Sequence, residues 1–405
     1  MATGSNRYEF TPATYSTVGV PGFAHGNPLA EAIVPLPTDT SLFDALSKKP
    51  IGDFINQPPS IQDAIAQLHT LTYAHYPRPE AILLGGRINS IIYNLLSQKN
   101  PFHPSRFNRL ASISQSNFGN PISRGQPSPM LFVVGDSGMG KTTLIRGILN
   151  LIPSVITHSS YRDIPFSQLQ VPVLTVDAPQ GGAISGLCLA LAEQLDGILQ
   201  LSDGLSYRKS LHRQSIESQK VILSRAMASH CVSIIHIDDL QRISERGPGA
   251  QSEAAATIIG LANSVGALLL VSGTHEARAI FEKSFEADRR AMSLGAFELN
   301  APQDINDPFY RALLNFLFSR QLQNHKTVLT EDLVETILNL TAGNTSITLS
   351  LYVACQEACL YHDMAMDAAL FRRIRNEQFA PLVPELERMN LRRRRTASRS
   401  ARGSR

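Results

Sequence analysis

Charge is scarce and nearly balanced in this chain: 18% of its 405 residues are charged, with 37 Lys and Arg against 34 Asp and Glu. A sequence 43% apolar with so little charge can bury a sizeable core, which excludes a wholly disordered protein. The small excess of +3 resides in one place, since Leu391 to Arg405 holds seven arginines and no acid. The rest of the chain is therefore net negative, and bulk charge gives no sign of a nucleic-acid binder. Cysteine is scarce too. Cys188, Cys231, Cys355 and Cys359 are too few and too scattered for a disulfide framework. Cys355 and Cys359, at i, i+4 of a predicted helix, read as core packing, because a zinc site would need two further ligands nearby. No apolar run reaches the roughly 18 residues of a membrane span. The first residues lack the apolar stretch of a secretory leader. These absences point to a reduced, cytoplasmic protein without a membrane partner.

What is present is unevenly distributed. Ten of the 24 prolines fall in the first 79 residues. Each removes a backbone donor and disfavours helix before it, so residues 1–75 read as a Pro-rich arm, solvated or docking on a partner. One short helix is predicted there, at Ser41 to Leu46. Apolar residues then recur at helical spacing from Glu80 to Leu96. Four short apolar runs suit buried parallel strands: Met130–Val134, Pro172–Val176, Val232–Ile237 and Ala267–Val271. Helical patterns separate them, at 143–151, 186–199, 216–229 and 254–265. Strands alternating with helices imply an α/β domain, a parallel sheet covered on both faces, over about residues 76–300. Past Pro302 the strands stop. Segments 309–321, 330–340, 346–360 and 366–376 all read as helices, giving a small all-helical domain over 301–390. The Arg-rich end, 391–405, reads as a disordered tail.

One stretch carries chemistry unmistakably. Gly135, Asp136, Ser137, Gly138, Met139, Gly140, Lys141, Thr142 and Thr143 satisfy G-x-x-x-x-G-K-[ST] between a strand and a helix. The glycines let backbone N–H groups surround the phosphates of ATP, and the helix N-terminus adds a favourable field. Lys141 would reach the terminal phosphates and Thr142 would ligate Mg²⁺. The run ending in Asp238 and Asp239 delivers an acid at a strand's C-terminal end, where ligands of α/β sheets bind. Asp238 is placed to help hold the metal and Asp239 to orient and deprotonate the attacking water. Thr274, at the end of the next strand, either positions that water or senses the γ-phosphate, or else caps the following helix. Arg289 and Arg290 are either a solvated face or an arginine finger offered to a neighbouring subunit. His236, mid-strand, reads as a buried histidine.

Several longer stretches resemble the TnsC-type AAA+ ATPases, regulators of bacterial cut-and-paste transposition, with TniB and MuB as more distant relatives. They are Pro153 to Tyr161, Gln170 to Pro179, Gly186 to Cys188, Ile237 to Gln241, Val271 to Ala277, the Arg289–Arg290 pair, Thr341 to Gly343 and Leu351 to Ala358. The resemblance spans roughly 76–384. It implies an AAA+ P-loop NTPase domain with a helical lid, and an ATP-dependent oligomer that wraps duplex DNA as a ring or filament. It also implies a target-selection protein of TniQ or TnsD type, in some systems CRISPR-coupled, and transposase subunits that the oligomer recruits and activates in the bacterial cytoplasm. Lys141, Thr142, Asp238, Thr274 and one of Arg289 or Arg290 inherit the ATP-site roles. Two departures stand out. The acid after Asp238 is usually Glu in the family, and Asp239 is one methylene shorter, which suggests slow hydrolysis. The stretch Gly343-Asn-Thr-Ser-Ile also lacks the arginine often found there.

By the same resemblance, DNA would meet the segment containing Ser185 and the one containing Arg208, Lys209, His212 and Arg213. The first offers a helix N-terminus with a hydroxyl, suited to a phosphate. The second reads either as a cationic DNA contact or as a solvated helix start. Backbone contacts of this kind bind without base preference and depend strongly on salt. Two other readings stay open: an ATP-gated scaffold that barely hydrolyses, and an AAA+ loader of helicases or clamps. The Arg-rich tail would dock on transposase subunits, touch DNA, or merely solubilise.

Overall fold

A computed structural model describes residues 8–47, 60–120, 127–181, 183–244, 248–282 and 294–403. Its strands in chain order are β1 (Phe10–Pro12), β2 (Met130–Val134), β3 (Val155–Tyr161), β4 (Ile164–Gln170), β5 (Val173–Asp177), β6 (Ile234–Asp238), β7 (Leu268–Gly273) and β8 (Ala296–Glu298). The chain divides into two compact units. The first holds the chain as far as Leu42, Glu80–Asp136 and Ile145–Glu298; the second holds Phe43–Pro79, Ser137–Leu144 and the chain from Leu299 onward.

The first unit is built on a parallel five-stranded sheet in the order β5-β6-β7-β2-β8. Strands β2, β6 and β7 are buried at every residue, so apolar side chains serve both faces and no alternation shows in the sequence. The helices Ile184–Leu199, Ile216–Ser229 and Pro248–Val265 contribute Leu187, Leu191, Leu195, Leu223, Met227, Ile258 and Leu261 to the core formed with the strands. The Ile216–Ser229 helix starts where the Ser215 side chain accepts from the Ser218 N–H, which satisfies one of the amides left over at its first turn. Because β2, β6 and β7 are parallel neighbours, their carboxyl ends lie along one edge.

A second sheet, β1-β3-β4, lies outside the sequence-based reading. Strands β3 and β4 form an antiparallel hairpin whose two-residue turn puts Arg162 and Asp163 at φ 49° and 65°. Two consecutive left-handed residues match the right-handed strand twist, but the pair lacks the usual Asn-Gly signal. The Pro-rich arm, expected as a solvated leader or partner-docking segment, packs instead on its own unit. Leu29, Ala30, Ile33 and Leu36 are buried. Asn27 Nδ2 donates to Leu96 O at 2.6 Å, and Tyr93 Oη to Ile33 O at 2.9 Å. The buried Glu31 carboxylate accepts from Gly26 N–H, Tyr161 Oη and Arg162 Nη2 at 2.7, 2.8 and 3.2 Å. Prolines prevented long helices here but left short apolar anchors free to bury. The predicted helix at Ser41–Leu46 is present.

The second unit is helical. Pro308–Phe318, Glu331–Thr341, Thr345–His362 and Ala368–Gln378 share one apolar core with Ala64 and Leu68 of the helix Ile61–Thr70, a segment expected to belong to the arm. Asp307, Thr330, Asn344 and Asp367 each cap a helix by accepting a first-turn N–H. The final helix runs Val383–Gly403, so the backbone of the Arg-rich end is helical where no regular structure was expected. Arginine is a good helix former, no proline follows Pro384, and cations are favourable near a helix C-terminus. Leu386 and Met389 bury one side of its beginning, and Arg393 Nη2 donates to Asn339 Oδ1 at 2.7 Å.

Candidate functional site

The phosphate loop leaves β2 at the shared carboxyl edge, and Gly135 N–H donates to Gly273 O at 3.3 Å, tying its first residue to the end of β7. Within the first unit, the acids at the end of β6 are held by neighbours on both sides. Asp238 is 2% exposed, and its Oδ1 accepts from Ser272 Oγ at 2.5 Å and from Asp239 N–H at 2.9 Å. Arg146 lies 2.5 Å from Asp177 Oδ1 and 3.9 Å from Asp238 Oδ2. The β5 end and the β6 end therefore share one guanidinium.

Asp239 takes a left-handed backbone, φ 53°, which Asp tolerates better than most residues. This turns its half-exposed carboxylate toward the short helix Gln241–Ser244. Arg242 Nη2 donates to Oδ2 at 2.8 Å and Gln241 Nε2 to Oδ1 at 3.1 Å. Gln241 also accepts the Thr274 N–H on its Oε1 at 3.2 Å, so one side chain joins the candidate base to the candidate sensor. Gln241 Oε1 lies 2.7 Å from where a Cβ on Gly273 would be, so glycine is what permits that approach. Thr274 Oγ1 is buried and makes no hydrogen bond among the described residues. A buried hydroxyl left in that condition is suited to a polar ligand atom.

Within the second unit, Gly138 and Gly140 have φ of 78° and 85°, a conformation costly for any residue with a Cβ. The helix Lys141–Leu149 begins directly after them; Lys141 is buried, Thr142 half-buried and Thr143 exposed. Asn344 braces the loop, donating from Nδ2 to Ser137 O at 2.6 Å while Oδ1 accepts Ile347 N–H at 3.1 Å. Ser346 N–H donates to Gly138 O at 3.1 Å. Where the sequence lacked an arginine, an asparagine fastens the lid helix to the phosphate loop. A cavity of about 50 Å³ adjoins Met139 and Gly140, walled by Tyr76, Phe316, Leu349 and Thr345. Thr345 Oγ1 is buried with no partner among the described residues. His75 and Arg78 line the cavity as well, so its wall is mixed, with polar side chains beside apolar ones.

The residues expected to meet DNA lie in the first turn of one helix and on and just past a second, short one. Ser185 lies in the first turn of Ile184–Leu199, whose N-cap is Ala183, so its hydroxyl does not cap that helix. Arg208 and Lys209 begin the helix Tyr207–Leu211, but its first amides are already taken. Asp196 accepts from Tyr207 and Arg208 N–H at 2.7 and 2.9 Å, and Ser206 Oγ accepts from Lys209 N–H at 3.1 Å. Arg208 pairs with Glu193 at 3.2 Å and Lys209 with Asp203 at 2.7 Å. His212 and Arg213 are exposed. Arg289 and Arg290 lie outside the described residues. Gln241, Arg242, Ser272 and Asn344 were not singled out from sequence. Only Gln241 had a signal there, its place two residues after the acids.

All four cysteines are buried, and burial pushes the Cys188 and Cys359 thiols up to about 11. No cluster of His, Cys, Asp and Glu suited to a metal occurs among the described residues, and no helix among them is long and apolar enough to cross a membrane.

The chain thus has the AAA+ P-loop fold, a parallel sheet with a phosphate loop and a helical C-terminal region, and the family model described as "AAA domain" matches residues 124–281. Among solved structures it is similar to the Walker-type ATPase of Pyrococcus abyssi, at 14% identity and TM-score 0.40, over 73% of this chain and 77% of that one. It is also similar to the Aeropyrum pernix Orc1 protein solved with DNA, at 16% identity and TM-score 0.42, over 68% of this chain and 65% of that one. Domain III of Thermotoga maritima DnaA matches at 15% identity and TM-score 0.34, over 68% of this chain and 97% of that domain. No protein of curated function matches the sequence.

Proposed function

We propose that the chain is an ATP-dependent regulator of DNA transposition, an ATPase that oligomerises on duplex DNA at a selected target and recruits and activates transposase subunits there. The ATPase part is supported above all by one arrangement: Asp239 and Thr274 joined through Gln241 at the sheet edge from which the phosphate loop departs. The transposition part is supported by the resemblance of the stretches around His158, Gln241 and Leu351, which generic ATP binding does not require. A target-selection protein of TniQ or TnsD type belongs to the same reading.

In this reading Lys141 neutralises charge on the terminal phosphates and the loop amides hold them. Asp239 takes a proton from water as its oxygen attacks the γ-phosphorus; the bond to the bridging oxygen breaks, and ADP leaves with that electron pair. Thr274 Oγ1 orients the water. Thr142 supplies a hydroxyl and Asp238 a carboxylate, oxygen donors of the kind Mg²⁺ takes, and the ion when bound neutralises charge between the β- and γ-phosphates. An arginine of the Arg289–Arg290 pair reaches a neighbouring subunit's γ-phosphate.

A second reading, a DNA-bound scaffold that scarcely hydrolyses ATP, is favoured by the engagement of both Asp239 oxygens by Arg242 and Gln241. Steady-state phosphate release with and without DNA separates the two. Turnover lost in Asp239→Asn supports the enzyme; a parent without turnover supports the scaffold. Electron microscopy with duplex DNA tests assembly, since DNA-wrapped oligomers should form with a non-hydrolysable ATP analogue and not with ADP.

A further inference from the structure

Three buried side chains on two neighbouring strands form a line that ends at the β6 acid. His236, Ser272 and Asp238 are 0%, 0% and 2% exposed. His236 Nε2 lies 2.9 Å from Ser272 Oγ, and Ser272 Oγ lies 2.5 Å from Asp238 Oδ1. The direction of the line follows from counting protons. An ionised carboxylate only accepts, so the single Ser272 hydroxyl proton goes to Asp238. Ser272 Oγ must then accept from His236, which fixes that ring as the Nε2–H tautomer with Nδ1 unprotonated. His236 Nδ1 has no partner among the described residues, which agrees with a bare lone pair better than with an unanswered N–H in the core. Arg146 faces this acid on the Oδ2 side, at 3.9 Å.

We infer that His236 and Ser272 are positioning residues for the metal-holding carboxylate, a directed relay that fixes the Asp238 rotamer by occupying Oδ1 and orienting Oδ2 for Mg²⁺–nucleotide. The inference rests on the reading of Asp238 as a metal-holding acid and adds which residues set its geometry. A carboxylate locked by hydrogen bonds loses no rotamer freedom when it takes up a cation, and groups behind metal-holding residues commonly govern affinity by about 10- to 100-fold. A buried acid could have been satisfied by backbone amides alone. Here two side chains from the middle and end of adjacent strands are spent on one oxygen.

The test is Mg²⁺ dependence of nucleotide binding in the full chain, read with a fluorescent ATP analogue at rising Mg²⁺ and, separately, in excess EDTA. Ser272→Ala and His236→Leu should raise the Mg²⁺ midpoint about tenfold while leaving EDTA-state affinity at the parent value. Ser272→Thr, which keeps the hydroxyl, and His236→Gln, whose amide N–H can replace Nε2–H, should restore the midpoint. Parent-like midpoints in both disruptive variants overturn the inference. If the parent itself binds nucleotide without regard to Mg²⁺, the reading of Asp238 fails instead. Should the disruptive variants not fold, ¹⁵N shifts of His236 in the parent decide: an Nε2–H tautomer supports the relay and an Nδ1–H tautomer overturns it.

Discussion

Arg242 Nη2 stands 2.8 Å from Asp239 Oδ2, three residues away, and the same guanidinium reaches the Ala178 carbonyl at the end of β5 at 3.3 Å. The candidate base is thus tied to an arginine that also touches the next strand. Both side chains are over a third exposed, so the pair is weak, roughly 0.2–1 kcal/mol. A contact of that size delays the base without disabling it. Arg242→Ala should therefore raise basal phosphate release, by up to about fivefold if the whole pair energy opposes the transition state. A fall in turnover would mean that Arg242 aims Asp239 at the water rather than holding it away.

Asn344 does two jobs that one substitution can separate. Its Oδ1 caps the Thr345–His362 helix and its Nδ2 holds the Ser137 carbonyl. Asn344→Asp keeps the cap acceptor but removes the donor and places a negative charge beside the phosphate loop. It should melt close to the parent yet bind nucleotide about tenfold more weakly, the size of one charge-assisted contact. Asn344→Ala should lose both, with about 1 kcal/mol of stability gone with the cap. Thermal melts and nucleotide titrations on the two variants check this.

How much of this was readable beforehand depended on which physical signal each element carried. β2, β6 and β7 announced themselves because strands buried on both faces are continuous apolar runs, and Gly135–Thr143 because its chemistry requires a fixed spacing. The β3–β4 hairpin did not. Its alternation is interrupted by His158 and Gln168, and its turn uses Arg162–Asp163 in place of a recognised pair. The arm was misread because proline density says where helices stop, while the anchoring of Leu29 or Glu31 depends on surfaces more than a hundred residues away. Around the acids, the places of Asp238 at the end of β6 and of Asp239 and Thr274 just past β6 and β7 were legible from the apolar runs. Arg242, Ser272 and Asn344 were not, since their roles come from side-chain direction, which spacing does not encode.

Acid should destabilise the fold through its buried histidines. His158, His230 and His236 are all lowered from the usual 6.5, with burial the largest cause in each. In the unfolded chain they protonate near 6.5, whereas in the folded chain His236 resists to about 4. Between those values the unfolded state binds more protons, so stability rises with pH and is lost as pH falls. His236→Gln removes one such proton. Relative to the variant, the parent should lose about 1.4 kcal/mol more per pH unit across that window. Urea melts of both proteins at pH 7, 6 and 5 measure the difference, and parallel lines would show that His236 does not titrate as described.

The ion pairs at Arg208 and Lys209 give the DNA reading a directional test. In the folded chain these cations are compensated by Glu193 and Asp203. If they meet phosphates, DNA competes with those acids for them, and deleting the acids should help it. Glu193→Gln and Asp203→Asn together should tighten duplex binding, while Arg208→Ala with Lys209→Ala should weaken it on every sequence and spare ATP binding. Two lost phosphate contacts should also flatten the slope of log affinity against log salt by about 1.8. Fluorescence anisotropy with duplexes of unrelated sequence, across a salt series and with an ATP analogue present, reads both effects. An unchanged slope in the Arg208, Lys209 variant would show that the pair only solvates the start of its helix, and the duplex must then be held elsewhere.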